Sequence, residues 1–179
     1  MMKKENKSWL KKSLIIYALV LTTTILISSN NSFAETSKYR IFSYISKMEV
    51  MKVGFVKAPA DVLFERRGLV SFENGDVGIY VSRGTLKATP TSGKAKGFGQ
   101  ITHTDGSTAV SEFEVSYTVS PDTKLNTYTG TGKFIDGTGR FEGIQGELSV
   151  TGQALTPYDK DTLGDAYFDV ISNYTLPPR

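Results

Sequence analysis

The chain has 179 residues, a formal net charge of +3 and no cysteine. Disulfides, thiol catalysis and thiolate metal sites are thereby excluded, so the fold must be held by its core alone. The positive charge belongs to the N-terminus, where Lys3, Lys4, Lys7, Lys11 and Lys12 stand against Glu5; the remainder is close to neutral and offers no basic field to nucleic acid.

In chain order, the first element is a leader. A basic stretch is followed by an apolar run over Leu14–Ile27, broken only by Thr22, Thr23 and Thr24, and then by Ser32-Phe33-Ala34. Small residues at −3 and −1 predict cleavage between Ala34 and Glu35, as for a secretory signal peptide over residues 1–34. The alternative is an uncleaved membrane anchor, but the apolar run is shorter than the ~20 residues that cross a bilayer. The protein is therefore expected to be secreted or periplasmic, with no membrane association after cleavage. Residues 35–179, about 145 of them, make one domain.

Glu35–Ser46 reads as a lead-in of mixed character. After it come runs rich in Val, Ile, Phe, Tyr and Thr, bounded by turn residues. Strands are predicted near Lys47–Gly54, Asp61–Phe72, Val77–Thr89, Ala95–Thr104, Thr108–Ser120, Thr127–Ile135, Phe141–Ala154 and Tyr167–Leu176, the second one open to a break at Arg66-Arg67-Gly68. Asn74-Gly75 and Asp105-Gly106 are two-residue hairpin signals of the type that needs φ > 0 at both positions. Ser120-Pro121-Asp122 marks another turn. No sustained 3.6-residue apolar repeat follows the leader, so no long helix is expected.

All 17 glycines lie after residue 34, a density above ordinary usage. They are thickest in Asp136–Gly146, where Gly137, Gly139, Phe141, Gly143 and Gly146 read as a tight corner of a curved sheet. Short hairpins and glycine bends favour a closed barrel over a sandwich. The expected fold is all-β: an eight-stranded antiparallel up-and-down barrel.

Sites that carry chemistry are sparse. Thr129-Gly130-Thr131-Gly132-Lys133 lacks the outlying glycine and the Ser or Thr of a phosphate loop, with Thr127 and Phe134 in those places. Gly137-Thr138-Gly139 runs into strand rather than helix, so it has no helix N-terminus for a pyrophosphate. Asp159, Asp161 and Asp165 lack the glycine and terminal Glu of a calcium loop. No metal site and no cofactor are expected. The catalytic candidates are His103, alone and beside a turn where solvation is its ordinary state, and the pair Glu112 and Glu114. In Thr108–Val119, Phe113, Val115, Tyr117 and Val119 share one face and Glu112 and Glu114 the other; burial costs place the apolar set inside. Phe72, Phe113, Val115, Tyr117, Val150 and Phe168 are the candidate barrel lining for an apolar ligand.

Gly137-Thr138-Gly139-Arg140-Phe141-Glu142-Gly143-Ile144-Gln145-Gly146 resembles the G-T-G-R-F-x-G-x-x-G segment of allene oxide cyclases and dirigent proteins. Phe72–Gly75, Asp105–Thr108, Tyr167–Val170 and Tyr174–Pro177 resemble an exported bacterial branch of that superfamily. The resemblance implies a calycin-like eight-stranded barrel and a dimer or trimer of identical chains. It implies an isomerase or cyclase working by substrate confinement as one function. The cyclases' cysteine near the barrel base has no counterpart here. The leading expectation remains a non-catalytic binder of a small apolar molecule; a further alternative is an assembly protein with a filled barrel.

Overall fold

The computed structural model describes residues 34–51, 59–157 and 164–178. Residues 1–33 of the leader, the end of the Lys47–Gly54 run, and Asp159 and Asp161 lie outside the described residues. Eight strands follow one another: β1 (Ala34–Met51), β2 (Ala60–Phe72), β3 (Val77–Ala88), β4 (Ser92–His103), β5 (Thr108–Val119), β6 (Asn126–Thr138), β7 (Gln145–Ala154) and β8 (Ala166–Thr175). Each pairs antiparallel with its sequence neighbours, and β1 pairs with β8, so the sheet closes on itself. The architecture is the up-and-down barrel that the turn spacing predicts.

The lead-in is a correction. Glu35–Ser46 is the first part of β1, and Ala34–Ser43 forms the whole seam with β8, Ala34 opposite Thr175 and Ser43 opposite Ala166. Tyr39, Ile41 and Ser43 turn inward and are buried, while Phe42 and Tyr44 remain exposed on the outer face. Apolar residues on both faces hide the period-2 alternation that marks a strand. A bulge at Ser46 shifts the β1–β2 register between Ile45 and Lys47 and bends the strand. On the outside of the seam, Arg40 Nε and Nη2 grip Asp169 at 2.6 and 2.9 Å.

Two other boundaries move. β2 runs unbroken through Arg66-Arg67-Gly68. The predicted Phe141–Ala154 strand begins only at Gln145, because Gly139–Phe141 is a short 3-10 turn. The two sharp hairpins also depart from the expected two-residue turn. Gly75 (φ 89°) and Gly106 (φ 82°) have positive φ, whereas Asn74 and Asp105 do not. Phe72 N–H bonds Asp76 O at 3.0 Å and His103 N–H bonds Ser107 O at 2.9 Å. Both connections are thus three-residue loops with one left-handed glycine.

The corner works by two separate devices. Gly139 (φ 60°) and Gly143 (φ 74°) occupy the left-handed region, where a β-carbon is strained. At Gly137 and Gly146 a β-carbon would collide with the backbone at Phe141 and Asn173.

Candidate functional site

Inward residues repeat at every second position of each strand, with the phase shifted at the irregularities in β1 and β6, and rows of them cross the sheet. One row reads Phe64, Gly84, Gly97, Phe113, Gly132, Leu148 from β2 to β7. A β-carbon on Gly84 or Gly97 would strike the adjoining strand's backbone. Glycine there lets the sheet bend sharply, and the large side chains between fill part of the space inside.

One end of the barrel is sealed. Six rings contact in sequence: Tyr39, Phe72, His103, Phe141, Tyr174 and Phe134, with centroid separations of 5.1, 5.0, 4.6, 6.3 and 5.9 Å. Ala109 and Ile144 pack beneath them. This corrects the expectation of a solvated His103. The ring is 7% exposed and lies between Phe72 and Phe141. Its Nδ1 is 2.8 Å from Arg140 Nη2; Arg140 is a donor only, so Nδ1 is the acceptor and the imidazole is neutral. Burial, then the Arg140 charge, lowers the His103 pKa, against smaller opposing effects of Asp105 and Asp76. His103 is a structural member of the floor.

Above the floor the barrel is hollow. A cavity of about 600 Å³ extends from Ile101, Phe134 and Val170 to a mouth edged by Val50, Ala88, Pro90 and Asn126. Phe113, Val115, Tyr117, Val150 and Phe168 line it. Phe72 does not; it belongs to the ring stack. Glu112 and Glu114 are on the outer surface, where they border a shallow depression. Glu112 pairs with Lys133 at 3.0 Å. Neither carboxylate meets the cavity, so as acid–base groups they have nothing to act on there.

Polar groups that no motif announced do reach the cavity: Arg66, Tyr80, Ser82, Ser111 and Tyr128. Arg66 is 9% exposed. It donates from Nε to Ser43 Oγ at 3.1 Å and from Nη2 to Ser43 O at 2.9 Å and Gly164 O at 2.7 Å. Its guanidinium carbon stands 5.4 Å from the centre of the Phe168 ring. Burial lowers its pKa, partly offset by Tyr128, Tyr80 and Asp165, yet an arginine stays charged. Burial also raises the phenols of Tyr80 and Tyr117, so they are neutral hydrogen-bonding groups. The sequence held a signal for Arg66: it shares the even-numbered phase of Val62, Phe64, Val70 and Phe72, an arginine on an inward face.

A second unannounced group lies outside the cavity. Glu65 is 5% exposed, covered by Arg67 and Arg83, whose Nε atoms reach it at 2.8 and 2.7 Å, and by the Ser46 hydroxyl at 2.8 Å. Those bonds, Arg67's first, hold its carboxyl down to about 2. It fastens the β1 bulge to β2 and β3. Among the described residues, no three His, Asp or Glu side chains converge as a metal site.

No family model matches the chain, and no curated protein matches it. Among solved structures it is similar to that of the pterocarpan synthase dirigent protein GePTS1, with a TM-score of 0.46 and 10% identity over 82% of this chain and 90% of that one. The barrel assignment stands on the closed strand pairing.

Proposed function

We propose that the protein binds a small, mostly apolar molecule inside its barrel. The observation that carries this is the cavity: its volume of about 600 Å³ falls within the roughly 300–1,000 Å³ of small-molecule sites. A barrel serving only as an assembly surface has no need of that space. The test is fluorescence titration with N-phenylnaphthylamine, an uncharged apolar dye that brightens out of water. Saturable binding of one dye per chain, abolished by filling the cavity with Ala95→Trp, is expected. Absence of saturable binding would overturn the proposal.

A second reading is an isomerase or cyclase that confines a reactive substrate. It is favoured by Arg66, Tyr80 and Tyr128 reaching one cavity, since positioned polar groups add to what confinement alone achieves. Export after cleavage at Ala34 is part of the proposal, and N-terminal sequencing of protein from the culture medium or periplasm tests it. Self-association is a further part, motivated by an outward row of Phe42, Leu69 and Ile79 across β1, β2 and β3, 46%, 63% and 58% exposed. Sedimentation of the purified protein tests that; a monomer at every concentration would refute it.

A further inference from the structure

A guanidinium has five N–H groups. In Arg66, one on Nε and two on Nη2 are used, by Ser43 and Gly164. The two on Nη1 make no hydrogen bond among the described residues. Nor does Arg66 form an ion pair among them; Asp165 is felt only as a distant charge. A buried cation without a counter-ion is costly, and a side chain held this firmly by three bonds cannot swing out to water. The wall around it is apolar or phenolic: Phe64, Phe168, Tyr80 and Tyr128.

Resting on the reading of the cavity as a binding site, we propose that Arg66 receives an acid group of the ligand on its Nη1 edge. The ligand is then an apolar body carrying one anionic group, a carboxylate or its equivalent, bound inside the barrel. The anion supplies a counter-charge that no described residue gives by an ion pair, and the fixed guanidinium sets the ligand's depth and direction. Tyr80 and Tyr128 line the same cavity, and their hydroxyls can donate to the same group. Hydrogen bonds between two charged groups are among the stronger contacts in proteins.

The experiment is competition against bound N-phenylnaphthylamine by dodecanoate, methyl dodecanoate and dodecyltrimethylammonium, with anilinonaphthalene sulfonate as an acid on an aromatic body. Wild type should prefer dodecanoate to its methyl ester by about tenfold or more, and the ammonium should compete weakest. In Arg66→Met the neutral dye should still bind and the acid preference should vanish. Arg66→Lys keeps a charge but loses the fork, so the preference should shrink several-fold without disappearing. Should Arg66→Met not fold, the acid–ester comparison in wild type and the lysine variant decide the matter. Equal affinity for acid and ester in wild type, with the dye bound, would overturn this inference and leave the cavity reading standing. Failure of the dye itself to bind would remove both. A preference for the sulfonate over dodecanoate would support the anion site and assign it an aromatic ligand.

Discussion

The two ends of the barrel are built from the same strands and do opposite things. At the closed end, three-residue turns and the glycine corner pull the strands together, and six rings fill what remains. Toward the open end, inward positions of β2, β3, β4 and β7 carry alanine, at Ala60, Ala88, Ala95 and Ala154, while β5 and β6 place Tyr117 and Tyr128 there. Thus β4 begins with Gly93 and Ala95 at the mouth and finishes with Ile101 and His103 in the floor. The difference teaches that hollowness follows the size of the inward side chains at each end. Stability and binding should then separate by end.

The largest effect is expected at the floor. Phe141→Ala removes the ring between His103 and Tyr174 and should cost about 3–5 kcal/mol, measured by denaturant unfolding, with dye affinity per folded molecule nearly unchanged. A loss of affinity as large as the loss of stability would show that the ends are not separable. At the mouth, Ala95→Trp should lower dye affinity at least about tenfold while changing stability by no more than about 1–2 kcal/mol. Next, Gly143→Val should destabilise by about 1–3 kcal/mol, because its φ of 74° strains a branched side chain. An unaltered thermal midpoint would relieve the corner of any such role.

Acid should attack the floor gently and the bulge later. The folded-state pKa of His103 lies below its ordinary value, so the unfolded chain binds a proton first as pH falls. Stability contributed by the neutral, stacked ring is therefore full above about pH 6.5 and declines below it. Arg140, Asp105 and Asp76 are the charged groups around the ring. In thermal melts, His103→Gln should remove this slope, which amounts to at most one proton per molecule. Glu65 acts in a lower window: with a folded pKa of about 2 against 4.5, its contribution is present above about pH 4.5 and lost toward pH 2. Glu65→Gln should flatten that second decline.

Much of this was readable in the chain because β-structure writes itself at period 2. Thr108–Val119 shows one apolar and one charged face, and the glycine-rich corner names its own bends. The first half of β1 was illegible, since Phe42 and Tyr44 make its outer face as apolar as its inner one. The burial of His103 is not legible in the sequence, because its environment comes from Phe72 and Phe141, residues distant in sequence that only the fold brings to either side of one ring. Arg66 was partly legible through its phase on β2. Its bonds to Ser43 and Gly164 were not, because they cross from β2 to β1 and to the approach to β8. Hollowness itself has no local signature; it depends on which small residues share a row.

The seam between β1 and β8 joins positions far apart in the chain, 139 residues in the bond from Tyr174 to Glu35. A chain that emerges N-terminus first, from a ribosome or a translocation channel, presents β1 long before its second partner exists. Until β8 arrives the molecule is a curved sheet with two raw edges, open to pairing with other chains. Closing so long a loop also delays the transition state. A chaperone or a fast release step has most to offer in that interval, and a truncation before Ala166, which leaves β1 and β7 without their β8 partner, is expected to aggregate through those edges.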